Sequence, residues 1–181
     1  MDQQDSPPTD PLLPHFEVVW MTSAHTGLPH CKEFTAANPL VIQHRCDSPE
    51  ASGDERVRIW RNCDRHIRNW WKASRHLVKS QHVIFLEWDV VCNVPLDRIL
   101  SVQEGLVCSR IKRQHNPEDS WYWFREVPNL PAAMQASAIG VVPLAVLQLT
   151  REALDALCEE CHDELFTSDI YCEMRTPTLL Q

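Results

Sequence analysis

The sequence predicts an α/β domain with a mainly parallel central sheet flanked by helices. Three observations predict it. Short apolar runs rich in Val, Ile and Phe read as buried strands. They alternate with stretches whose apolar residues recur every three or four positions, the spacing of amphipathic helices. The chain has 181 residues, 44% of them hydrophobic, which suits one core of ordinary size.

The elements follow in order. Residues 1–14, "MDQQDSPPTDPLLP", are acidic and proline-rich and are expected to form a disordered leader, with a single domain over 15–181. "HFEVVWMTSA" (15–24) reads as a first strand ending in small polar residues, and "NPLVIQHRC" (38–46) as a second. Ser52 and Glu55 have capping-box spacing, so a helix is predicted to start near Gly53 or Asp54 and to run to about Arg75. Its apolar face carries Val57, Trp60, Cys63, Ile67, Trp70, Trp71 and Leu77. Its other face carries Arg56, Arg58, Arg61, Arg65, Arg68 and Lys72, and is expected to face solvent unless Arg61 or Arg65 reaches an anionic ligand.

"HVIFLEWDV" (82–90) opens a strand over about 82–91, broken at Asn93-Val94-Pro95. "PLDRILSV" reads as a short helix and "EGLVCSRIK" (104–112) as a strand. Residues 113–135 have no clear period, which predicts a functional loop. A strand region over 137–149, interrupted by Pro143, leads into a helix over 150–160 with Thr150 as its N-cap.

Composition excludes some roles. A formal net charge of -8 and a pI of about 5.5 argue against nucleic-acid binding, which needs a basic face. There is no basic segment followed by an apolar run, as a signal peptide requires. No apolar stretch approaches the ~20 residues of a spanning helix. A cytoplasmic protein without a membrane span is expected, its eight Cys reduced. Seven Trp suggest flat binding surfaces, and one expected use of them is a homodimer contact.

The chemistry centres on Glu87 and Asp89. In a strand they point the same way, with Trp88 opposite. Parallel carboxylates repel unless a cation lies between them, and Mg²⁺ or Mn²⁺ takes such oxygens while leaving positions for phosphate. In parallel sheets ligands bind beyond the carboxyl ends of the strands, where this pair is expected.

The run from Arg61 to Val90, "RNCDRHIRNWWKASRHLVKSQHVIFLEWDV", resembles a segment of GT-A glycosyltransferases. That family has a helix with an Arg-Asn pair, a buried strand and an acidic DxD-type motif, matched here by Glu87-Trp88-Asp89. "MTSA" looks like the end of its nucleotide-binding first strand, and "CEMRTPTLL" like the Glu-x-Arg tail of some members. The resemblance spans 15–181 and implies a GT-A/Rossmann-like architecture. It also implies transfer of a sugar from a nucleotide-diphospho-sugar to a carbohydrate or other hydroxyl acceptor, with Mn²⁺ or Mg²⁺ as cofactor. Asp89 would be the principal metal ligand, with Glu87 on metal-bound water or ribose. Thr22, Ser23, Arg61 and Asp64 would lie on the donor side. A further ligand comes from His162, Asp163 or Asp169. The sequence departs from the family in carrying Glu at the first acidic position and in its short length.

Three further features bear on function. Trp121 and Trp123, in "SWYWF" (120–124), suit stacking on an acceptor sugar, against a reading in which they anchor the loop. An inverting transferase needs a general base, for which Asp163 and Asp169 are the candidates. "CEECH" (158–162) has the spacing of covalent haem attachment, discounted without an export signal. The same stretch offers Cys158, Cys161 and His162, with a distant Cys, to zinc. Two rival functions stand beside glycosyl transfer. One is a metal-dependent phosphohydrolase or nucleotidyltransferase, and the other a non-catalytic binding module.

Overall fold

The computed structural model describes residues 16–22, 41–45, 57–58, 60–87, 90, 105–108, 110–141 and 146–181. The leader, the capping box, Ser23, Asp89 and the short helix after Pro95 lie outside these residues.

Strands β1 (Phe16–Thr22), β2 (Val41–Arg45) and β3 (His82–Glu87) form where the apolar runs predict them. They are joined in one sheet by β4 (Leu106–Val107) and β7 (Val146–Thr150), in the order β2-β1-β3-β7-β4. Strands β5 (Ile111–Arg113) and β6 (Ile139–Val141) make a separate antiparallel pair.

The expected mainly parallel sheet, and with it the GT-A/Rossmann-like architecture, is corrected by these pairings. β1 runs parallel to β2 and to β3, but β7 is antiparallel to both β3 and β4. Counting the β5–β6 pair, antiparallel ladders outnumber parallel ones among the described residues. The physical reason is that an apolar run carries no direction. Residues 146–150 bury a strand equally well either way, and pairing alone decides.

Helix α1 (Cys63–Ser74) continues a helical stretch that already includes Val57, Arg58, Trp60 and Arg61. Ile67, Trp70 and Trp71 face the sheet and pack with Val83, Phe85, Leu147 and Leu149. The apolar face ends exposed on both sides, at Val57 and Trp60 before the buried section and at Leu77 after it.

The segment after β5 is more ordered than its lack of period suggests. It holds 3₁₀ turns at Pro117–Asp119 and Tyr122–Asn129 and the short helix α2 (Ala132–Gln135). Trp121 lies across β6 at Gly140, where a Cβ would collide with the indole ring. A glycine there lets the ring seat on the strand.

Helix α3 (Arg151–Leu157) begins as predicted, with the Thr150 hydroxyl accepting from the Ala153 amide at 3.3 Å. It stops at Leu157. The "CEECH" stretch is not its continuation but a 3₁₀ turn (Glu160–His162) leading to α4 (Asp163–Thr167). The last helix, α5 (Cys172–Leu179), is buried from Cys172 to Thr178. A helix enclosed in this way must satisfy its polar side chains internally, and it does so on α1.

Candidate functional site

Arg58 and Lys72 on the basic face of α1 are exposed as expected, but Arg61, Arg65 and Arg68 are not. Those three make the surface on which the C-terminal third is docked. Arg65 donates to the Ser168 carbonyl at 2.6 Å. Arg68, 7% exposed, donates to the carbonyls of Leu157 at 2.8 Å and Glu159 at 3.1 Å, and pairs with Asp163. Arg61 binds Glu126 at 2.7 Å and the Asp169 carbonyl at 3.0 Å. The other oxygen of Glu126 accepts from the Tyr171 amide at 2.8 Å. Arg61 thus meets a carboxylate and a carbonyl of the chain itself.

Asp64 and Arg175 form the centre of this docking, both with side chains 0% exposed. Arg175 grips the carboxylate through Nε, at 2.8 Å, and Nη2. Its Nη2 also donates to Asn62 at 3.2 Å, and its Nη1 to the Ser168 carbonyl at 3.1 Å. The Thr176 hydroxyl donates to Asp64 at 2.9 Å. Both carboxylate oxygens are therefore engaged. The residue read as donor-side is the internal counterion of Arg175.

Glu87 ends β3 at an edge of the five-stranded sheet. In the parallel register Met21 is opposite Glu87 and Thr22 is opposite Arg45. The strand ends of β1, β2 and β3 therefore share one edge. Two of the sequence candidates, Thr22 and Glu87, come together there. Asp89 and Ser23 lie outside the described residues.

Tyr171 connects this edge to the aromatic residues. Burial above all pushes its phenol far up, with smaller contributions from Cys172, Glu173, Cys63 and Glu87 around it. Both Glu87 and Glu173 are thus within electrostatic reach of one buried phenol. The Tyr171 ring packs on Trp123 at 4.3 Å between centroids and on Trp60 at 5.1 Å. Trp60 is half exposed and Tyr122 more so. Arg125 lies over Tyr122 at 3.6 Å, and Tyr122 meets Trp123 edge-on. A carboxylate-bearing edge and an open aromatic wall thus share Tyr171.

The remaining candidates are placed elsewhere or differently. Trp121 is an anchor, held on Gly140 and packed edge-on against Phe124 at 5.3 Å. Trp123 stays at the aromatic wall. Asp163 pairs with Arg68, whose hydrogen bond holds its carboxyl below the ordinary range. Asp169 is exposed and sits 3.5 Å from Arg61. His162 lies on the turn after α3, beside Cys161 and Glu159.

Sequence reasoning passed over three residues. Glu173 has no site role in the sequence reading, where it is the acid of the Glu-x-Arg tail. Tyr171 and Trp60 carry no signal of their own. Trp60 reads as part of a buried helical face, and only the end of that burial leaves it open.

A groove of about 590 Å³ opens at the other end of β3, lined by Gln81, His82, Thr150, Glu152 and Gln181 among others. Its polar groups are dispersed, and Gln81 and Glu152 bond each other at 2.6 and 2.7 Å. It holds none of the sequence candidates. Among the described residues, no helix is long and apolar enough to cross a membrane. No family model, curated protein or solved structure matches the chain, so its function is argued from its own residues.

Proposed function

We propose that the chain transfers a sugar from a nucleotide-diphospho-sugar to a hydroxyl acceptor at the edge formed by β1 and β3. The supporting observation is the convergence on Tyr171 of Glu87, Glu173 and the Trp60–Tyr122–Trp123 wall. Carboxylate oxygens are the hard donors that Mn²⁺ and Mg²⁺ prefer, and Glu87 and Asp89 are the residues that would hold such an ion. When bound, the ion supplies neutralisation of the leaving diphosphate. The aromatic wall binds the flat C–H face of a sugar and excludes water from it. Tyr171, buried beneath the wall, keeps its proton over the physiological range. Because Asp163 is held as an anion in an ion pair, it is a weak proton acceptor. Asp169, exposed and at 3.5 Å from Arg61, is the remaining candidate base.

A second reading is favoured by the openness of the wall. Trp60 and Tyr122 are exposed enough to hold carbohydrate without any metal, as a binding module would. One experiment separates the two. Melting temperature is measured with UDP- and GDP-sugars in the presence of Mn²⁺, then with oligosaccharides in EDTA. Transfer predicts a donor-dependent rise that Asp89→Ala and Glu87→Gln both abolish. A rise with oligosaccharide in EDTA, lost in Trp60→Ala and absent with every donor, would replace transfer by simple binding.

A further inference from the structure

We propose that the turn carrying Glu159, Cys161 and His162 binds a divalent transition ion of the zinc class. The site is separate from the sheet edge and does not rest on the function proposed for it. The three donor atoms stand at the corners of a nearly equilateral triangle. Cys161 Sγ is 3.6 Å from His162 Nε2 and 3.6 Å from Glu159 Oε2, and Nε2 is 3.7 Å from Oε2. A tetrahedral ion with sulfur at ~2.3 Å and nitrogen and oxygen at ~2.0–2.2 Å needs donor separations of roughly 3.4–3.6 Å. The triangle is therefore one face of the required tetrahedron, closing by a few tenths of an ångström.

The donor chemistry selects the ion. One thiol, one imidazole and one carboxylate suit zinc or cobalt and not magnesium or calcium, which take oxygen cages. Three protein ligands leave the fourth position to water or an exogenous group.

The turn is held from beneath. The His162 amide donates to the Glu159 carbonyl at 3.1 Å, closing the 3₁₀ turn. The same carbonyl accepts from the buried Arg68, also at 3.1 Å. Arg68 fixes the preceding carbonyl of Leu157 as well. The backbone that carries all three ligands is thus tied to α1 before any ion arrives, which lowers the cost of ordering the site.

This ligand set differs from the one the spacing suggests. Cys158 turns inward, its Sγ 3.6 Å from the Arg68 carbonyl oxygen. Glu159 takes the place expected for it. On binding, the Cys161 S–H bond breaks, the sulfur pair goes to the ion and the proton goes to solvent.

The test is a Co²⁺ titration of the reduced 181-residue chain, read by thiolate-to-cobalt charge-transfer absorption. One equivalent should develop the band, and Zn²⁺ should bleach it. Cys161→Ser should abolish it, while Cys158→Ser should retain it. His162→Gln and Glu159→Gln should each weaken Co²⁺ binding at least ~10-fold, the smallest loss expected for groups that hold a metal site. Circular dichroism confirms the fold of each variant, since all three ligands are on a surface turn. Absence of the band in the parent chain at stoichiometric Co²⁺ overturns the proposal, as does its survival in Cys161→Ser.

Discussion

Two of the arginine–aspartate pairs that hold the C-terminal third to α1 sit in opposite environments. Asp64–Arg175 is sealed, with neither side chain reaching solvent. Arg68–Asp163 is buried on the arginine side only, and the carboxylate is 57% exposed. The chemistry is the same, but the energetic role differs. In the sealed pair each partner makes the other's burial tolerable, and Asn62, Thr176 and the Ser168 carbonyl complete the hydrogen bonds. In the open pair water can replace Asp163. The lasting work of Arg68 is on carbonyls, which it supplies with donors at the end of α3 and in the turn beyond.

The largest effect should come from breaking the sealed pair. Asp64→Ala leaves the Arg175 guanidinium buried without a counterion, and should cost about 3–5 kcal/mol in chemical denaturation. Replacing both partners, as in Asp64→Leu with Arg175→Met, should recover most of that loss. A double variant as unstable as the single one would show that the pair is worth more than its mutual compensation.

Arg68→Met tests the open pair from its buried side. It strips charged donors from the Leu157 and Glu159 carbonyls and should cost about 1.5–3 kcal/mol by the same measurement. A much smaller loss would mean that water reaches those carbonyls.

Asp163→Asn should give the smallest change, a slight loss at neutral pH, because an exposed carboxylate is readily replaced by solvent. Its signature is a pH dependence. The Arg68 hydrogen bond lowers the Asp163 carboxyl in the folded chain. Its contribution is therefore fully present above the unfolded value, about 3.9, and is lost as pH falls through the lower folded one. The variant's melting temperature should fall less steeply than the parent's below about pH 4. Parallel acid limbs would place the carboxylate outside the pair.

The contrast also explains what could be read from the sequence. β1, β3, α1 and the start of α3 were legible because each depends on local pattern, an apolar run, a period or a capping threonine. Strand direction was not, since β7 buries Leu147 and Leu149 whichever way it runs. Nor was the role of the arginines. A row of Arg along a helix looks the same whether it meets water or carbonyls some hundred positions later, as Arg65 and Arg68 do. Of the candidate site, Glu87 at a strand end was legible. Its neighbours Glu173 and Tyr171 come from the far end of the chain, and only the docking of α5 brings them in.

That docking has a consequence for the order in which the protein can be made. Asp64 and Arg175 are separated by 111 positions. As the chain leaves the ribosome, α1 is complete long before its counterion exists, so Asp64 must stay hydrated and the surface around it open. The charge can enter the interior only once Arg175 has been made. Closure of the core around α5 is then a late event, and a nascent chain halted before residue 175 lacks the sealed pair.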